Sequence, residues 1–382
     1  MPLMSRVRSR RFGDRGGVTT IVAVLLSAGV LLGMGALAID VGRIYLEREE
    51  LQSGADAAAQ NIASNCAHQR TDCASIGDAS AAADANAKDG RTYVEEICGR
   101  DASLVVSLAP CGPSAGSTVT DCIGTPAPGL NYVEVRVRTE SAGGGSLLPY
   151  SFAQSIAGVG DGATVRACSR VAYGPPTRAT AIAIRDCMFD EVKSDLVDLP
   201  PWTSGYPATS QESVLHLDGK RGAGKPDVPT CAAASGKPSG WDDAGGFVWV
   251  DRVRGGGCQT AVNVTVNQDT PPANGAPRGC RNLLDSRIAS RQPLVVPLFD
   301  EWSPASPGNH DYALQRLVGF VVTGYYLGSG FANSRPSDFG GSHCSGPERC
   351  IYGYFVNLPF VAGDVGPDIG LEDGTVALNT SG

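Results

Sequence analysis

The sequence predicts an α+β protein: a long N-terminal transmembrane helix, continuing outward as a stem, followed by a β-rich, disulfide-containing extracytoplasmic body. Three observations carry this expectation. Val18 to Ile39 is a run of 22 residues without a charge, all twelve cysteines lie after it, and from Asn131 onward short apolar segments alternate with Gly, Pro, Asn and Asp. With 42% hydrophobic and 18% charged residues over 382 positions, the chain has the composition of a folded body large enough for two or three compact units. Its formal charge of −8 argues against a nucleic-acid partner.

As a helix, Val18 to Ile39 spans about 33 Å at 1.5 Å per residue, enough to cross a bilayer. Arg6, Arg8, Arg10, Arg11 and Arg15 precede it and Asp40 follows at once, so the positive-inside rule puts the N-terminus in the cytoplasm and the body outside. Ala36-Leu37-Ala38 is also an A-x-A cleavage site, which leaves a secreted product as the rival reading, but the run exceeds the usual h-region. Ser9-Arg10-Arg11-Phe12 hints at a twin-arginine signal, although Gly13 and Asp14 stand where apolar residues belong. Within the run, Gly29 and Gly33 form a GxxxG that lets a second helix approach closely.

No proline occurs between Pro2 and Pro110, and the helix is expected to continue through a stem over 40–65. Ile44, Leu51, Ala55, Ala58 and Ile62 fall on one stripe of it. Asp40 with Arg43, and Arg43 with Glu47, have helical pair spacing. A second helix is expected from Asp78 to Asp89, stopped by Gly90. Asn131 to Thr139 alternates, with Val133, Val135 and Val137 on one face and Glu134, Arg136 and Arg138 on the other, as a half-buried strand does. Further strands are expected at Thr164–Ala172, Ala179–Arg185, Ser213–Leu217, Phe247–Arg252, Gln259–Val266, Leu294–Phe299, Val318–Leu327 and Ile351–Val361. Pro175-Pro176 is the best internal boundary. The expected organisation is a basic tail (1–17), transmembrane helix (18–39), stem (40–65), an α+β subdomain (66–175), a β-rich subdomain (176–362) and a loose tail (363–382).

Cys66, Cys73, Cys98, Cys111, Cys122, Cys168, Cys187, Cys231, Cys258, Cys280, Cys344 and Cys350 form an even set with no CxxC, the pattern of disulfides in an oxidising compartment. Cys66 with Cys73 and Cys344 with Cys350 are the natural close pairs, though spacing does not fix connectivity.

Motifs of catalysis are imperfect. Gly219 to Lys225 follows a P-loop until Pro226 replaces the magnesium-binding Ser or Thr. Gly112-Pro113-Ser114-Ala115-Gly116 satisfies G-x-S-x-G in a loop without the strand and helix that a serine hydrolase needs. Gly158 to Ala163 mimics a dinucleotide fingerprint but leads into a strand. His68, His216, His310 and His343 are scattered, and Asp242-Asp243 lacks a calcium-loop pattern. No catalytic, cofactor or metal residue is assigned, and no enzymatic activity is expected.

Three segments carry a family likeness: Arg15-Gly16-Gly17 before the apolar run, Ala38-Ile39-Asp40-Val41-Gly42 at its end, and Leu51-Gln52-Ser53-Gly54-Ala55-Asp56-Ala57-Ala58-Ala59 in the stem. Over residues 11–65 the chain resembles the TadE/TadG-like proteins of Tad (Flp) pilus assembly, with weaker likeness at Leu147–Phe152 and Ala163–Ala172. Gly245 to Val250 and Pro297 to Asp300 look like segments of the larger members. Gly54 stands where the family has Ala. Val22 stands where pilin-like members, cut after a Gly such as Gly17, bear a Glu, and the D-x-S-x-S metal motif of some TadG proteins is missing.

The resemblance implies a membrane-anchored, pseudopilin-like accessory component in the cytoplasmic membrane. Its partners would be lipid, other Tad membrane proteins or pilins, and a second copy through the N-terminal helix. Gly29, Gly33, Asp40, Arg43, Leu51, Ala55, Ala58 and Ile62 are the expected packing residues. The alternatives are an exported hydrolase or an adhesin released by cleavage after Ala38.

Overall fold

The computed structural model describes residues 15–27, 30–68, 73–101, 108–112, 122, 128–155, 160–217, 246–267, 276–277, 279–306, 309–328, 332–333, 344–346, 348–367, 369, 371 and 374–381. In chain order these form α1 (Arg15–Ser27), α2 (Val30–Ala67), α3 (Ile76–Asp84), β1 (Thr92–Arg100), β2 (Asn131–Thr139), β3 (Leu148–Pro149), β4 (Gly162–Ala163), β5 (Arg166–Gly174), β6 (Arg178–Thr180), β7 (Ile182–Arg185), α4 (Asp186–Asp190) and β8 (Ser213–Leu217). There follow β9 (Gly246–Trp249), β10 (Gln259–Ala261), β11 (Thr265–Asn267), α5 (Cys280–Ser290), β12 (Leu294–Ser306), β13 (Asn309–Tyr326), β14 (Ala332–Asn333), β15 (Cys350–Val356), β16 (Phe360–Ala362) and β17 (Val376–Ser381).

The apolar run is helical over its described residues. It is shared between α1 and the start of α2, with residues 28 and 29 outside the described set, and α2 meets its first charge at Asp40. Among the described residues no helix is long and apolar enough to cross a membrane. Of the run's described side chains, Val18, Ile21, Val24, Met34, Leu37 and Ile39 are all more than half exposed.

Beyond Asp40, α2 becomes a core helix. It lies across a five-stranded sheet in the order β1-β2-β5-β17-β16, antiparallel except for the β16–β17 pair. Leu51, Ala55, Ala58, Ala59, Ile62 and Ala63 are buried against Val133, Val135 and Val137 of β2 and Ala167, Val171 and Tyr173 of β5. Alanines suit this seam because a small side chain lets the helix backbone settle close to the strands. On its other side α2 packs against α3, where a Cβ added to Gly54 would stand 3.2 Å from the Ala83 carbonyl oxygen. That contact accounts for glycine in an otherwise Ala-rich run.

A second sheet closes on itself. β13 pairs with both β12 and β15, and the circuit runs β13-β12-β7-β9-β8-β15, with parallel pairing at β7–β12 and β8–β9. Ile184, Leu215, Trp249, Leu298, Phe320 and Phe355 belong to the core of this six-stranded barrel, so it is a packed body and not a pore. Gly353 of β15 sits where a Cβ would come within 2.6 Å of the Phe320 ring, a close approach that only glycine permits.

Several boundaries differ from the sequence expectation. The change of sheet falls after Gly174, beside Pro175-Pro176, but the first sheet recovers β16 and β17 from the far end of the chain. Residues 363–382 are therefore no simple loose tail: β17 pairs with β5 from Ala377–Gly174 to Ser381–Arg170. α3 runs from Ile76 to Asp84, capped by Ser75, and ends early because the Asp84 carboxylate turns to accept from the Thr92 N–H and hydroxyl at 2.7 and 2.6 Å. β1 was not expected as a strand; a register shift between Val94 and Glu96 breaks its alternation.

Cys66–Cys73, Cys98–Cys111, Cys122–Cys168, Cys258–Cys280 and Cys344–Cys350 are disulfides. Cys187 is also bridged, no cysteine is free among the described residues, and Cys231 lies outside them.

If the α2–α3 contact requires a bare backbone at Gly54, Gly54→Leu should lower the unfolding free energy by about 1–3 kcal/mol, as overpacking does. Chemical denaturation checks this, and unchanged stability would refute the close-contact reading. Gly54→Ala should cost less, because its helix propensity gain of about 1 kcal/mol offsets the crowding.

Candidate functional site

Asp40 ends the apolar run, and a lone carboxylate at that position needs compensation. The structure supplies it from a segment more than a hundred residues away. Ser151, Phe152 and Ala153 donate their backbone N–H groups to the Asp40 carboxylate at 2.7, 3.0 and 2.7 Å. Successive N–H groups converge in this way at the start of a short 3-10 helix, Ala153–Ser155. Three residues along α2, Arg43 donates to the Ser151 hydroxyl and, at 3.4 Å, to the Pro149 carbonyl. The helix thus grips the loop from both sides, taking its donors with Asp40 and its acceptors with Arg43.

Asp40 is 3% exposed, yet its cover is one loop and not a deep interior. Removal from water pushes its carboxyl up, but the N–H groups of Ala153, Ser151 and Phe152, with the Arg43 charge, outweigh this and hold its pKa below the ordinary aspartate value. Two turns on, Glu47 is shifted the other way: burial raises it against a hydrogen bond from Thr139, and Asp89 and Glu50 add repulsion.

The rest of the stem motif continues the same docking. Gln52 donates from Nε2 to the Cys168 carbonyl of β5 and to Asp56, both at 3.1 Å. Leu51, Ala55, Ala58 and Ile62 are buried on the chain's own sheet, so this stripe is not open to a partner helix. Gly33 differs: a Cβ there would meet nothing within 4 Å. Gly29 lies outside the described residues.

On the opposite face of β2, Glu134, Arg136 and Arg138 do not form the solvated side of a half-buried strand. Glu134 is buried and accepts from Arg170 Nη2 and Arg136 Nη2, each at 2.8 Å, while Arg136 Nη1 reaches Glu96 at 2.7 Å. Arg136 also donates to the carbonyl of Gly112, beside the bridged Cys111, at 3.0 Å. A buried carboxylate shared by two guanidinium groups is a structural device.

Among the described residues, His216 lies 3.3 Å from the Cys350 sulfur, and three groups bring possible ligand atoms within 4.8 Å of one another: His216 with Cys344 and Cys350, and Glu134 with either Cys98 and Cys111 or Cys122 and Cys168. In each, the two sulfurs are bonded to one another, which removes them as thiolate ligands. The His68 Nδ1 is 2.7 Å from the Ser64 carbonyl within the helix end, and His310 lies in β13. His343, Ser114, Asp242, Asp243, Gly158 and the whole of Gly219 to Lys225 lie outside the described residues.

The Asp40 carboxyl sets a pH dependence. Its folded pKa is depressed, so its contribution to loop docking is present above the unfolded value and is lost as pH falls through the folded one. Glu47 works oppositely, since protonation relieves its burial. Carbon-13 titration should therefore show Asp40 ionising below the ordinary aspartate value, with the 148–155 loop becoming cleavable by pepsin over the same range. Titration at or above that value, or cleavage independent of pH, would contradict the clamp.

No curated protein and no solved structure matches the chain. Residues 16–60, the segment that contains Asp40, Arg43, Leu51, Gln52 and the alanine seam, match the family model Tad, Flp pilus-assembly TadE/G-like, and this match supports involvement in Flp pilus assembly.

Proposed function

We propose that the chain is a membrane-anchored accessory component of Flp pilus assembly, acting by helix packing and protein recognition without catalytic turnover. Its N-terminus lies in the cytoplasm, α1 and the first part of α2 are held by the cytoplasmic membrane, and the disulfide-linked body projects outside. The observation that carries this reading is the exposure of Val18, Ile21, Val22, Val24, Met34, Leu37 and Ile39, apolar side chains that do not fall on one stripe. A helix that is apolar on every face and uncovered is suited to lipid, whereas a surface helix shows a single stripe. The five arginines ahead of it and the disulfides behind it agree with that orientation.

Val22 in place of the family's Glu supports an accessory role over that of a major pilin. The surface left for a partner helix is the open backbone at Gly33 and Gly35, where an added Cβ would meet nothing.

Alkaline extraction of cell membranes tests the anchor: the full chain should stay in the pellet until detergent is added, and its mature N-terminus should not begin at Ile39. Gly33→Ile should leave that fractionation unchanged and reduce co-purification of pilus-assembly partners by at least about tenfold, as loss of a close helix contact would. A chain released as soluble protein beginning at Ile39 would overturn the anchored role.

A further inference from the structure

We propose that the loop from Leu147 to Phe152 is a membrane foot: it rests in the outer interfacial layer of the bilayer that receives the N-terminal helix. This inference rests on the anchored reading above. The clamp fixes the loop's height along the helix. Asp40, which holds it, is the first charged residue after the apolar run, and Leu51, the first fully buried residue of the stem, lies eleven residues further on, about 16 Å along the axis. Asp40 and Arg43 therefore hold the loop at the level where the helix leaves the apolar layer.

The loop's chemistry fits that level. Leu147 and Phe152 are 48% and 49% exposed, a cost in water that burial in an interface would remove. Tyr45, one turn beyond Asp40 on α2, is 65% exposed and adds an aromatic ring of the kind enriched at membrane boundaries.

Backbone polarity is the usual obstacle to lowering a loop into lipid, because an unpaired N–H or carbonyl there costs free energy. In this loop the obstacle is largely removed. Ser151 and Phe152 give their N–H groups to Asp40, Tyr150 donates to the Asp161 carbonyl at 3.2 Å, and Pro149 has no N–H to pair. The Pro149 carbonyl accepts from Arg43, and Leu148 is paired with Ala163 in the β3–β4 ribbon. The Asp40 and Arg43 charges offset one another. An apolar tip with the N–H groups of Tyr150, Ser151 and Phe152 already paired, next to the exposed Leu37 and Ile39 of the helix, fits a lipid surface better than a polar protein partner.

Photocrosslinking in vesicles of phosphatidylcholine and phosphatidylglycerol, with the full chain as the sole protein, tests the foot. Benzoylphenylalanine is placed at position 152 (Phe152→benzoylphenylalanine), at Leu37 as the anchor control, and at exposed Val264 as the body control. Intact-mass spectrometry should find phospholipid adducts at 37 and 152 and none at 264. Asp40→Asn should lower the adduct yield at 152 several-fold while leaving that at 37 unchanged. Lipid adducts at 37 without any at 152, or crosslinks from 152 only to a second copy of the chain, would overturn the foot and leave the anchor standing. No lipid adduct at 37 would overturn the anchor, and the foot with it.

Discussion

Three backbone N–H groups converging on one carboxylate fix both the position and the direction of the chain that donates them, and the Asp40 interaction does this where the apolar part of α2 gives way to the stem. Without it, the apolar helix would be joined to the sheet only from Ile44 onward, through the stem seam. With it, the body reaches back along α2 to the end of the apolar run. Arg43 completes the grip by donating to the same loop, so the two charges act on one segment and leave little net charge behind.

From that point outward the structure reads as a series of dockings of decreasing polarity. The polar clamp at Asp40 and Arg43 gives way to the single amide contact of Gln52 on β5, and then to the closely packed alanines that let α2 lie flat on β2, β5 and β17. The Cys66–Cys73 bridge closes the end of the helix. Residues that look like a recognition code in the sequence are thus largely consumed in holding the helix to its own body, and partner contact is left to the segment before Asp40 and to the body's surface. The second unit is built differently: six of its strands close into a barrel circuit, which leaves fewer open sheet edges than a flat sheet would.

The stem was legible because its apolar residues repeat with helical period and proline is absent, and β2 was legible because valines and charges alternate strictly over nine residues. Barrel closure was not legible, since the β13–β15 pairing and the two parallel contacts depend on register between distant segments. β17 hid in a polar C-terminal stretch, and α5 has no apolar stripe, only Leu284 and the bridged Cys280 buried. Burial of the Glu134 face goes with its pairing to Arg136 and Arg170, and strict alternation of valines and charges does not reveal that pairing. Asp40 stood out as a charge at the end of an apolar run, but its partners are main-chain donors, which leave no side-chain signature in the loop.

The central claim is that Asp40 holds the 151–153 backbone, and amide hydrogen exchange at those three residues measures it most directly. At neutral pH the account predicts that the Ser151, Phe152 and Ala153 amides are protected in the native chain. In Asp40→Asn they should exchange at least about tenfold faster, as expected on losing charge-assisted bonds, while amides of β2 and β5 keep their protection. Fast exchange at all three positions in the native chain, or protection unchanged by the substitution, would contradict the account.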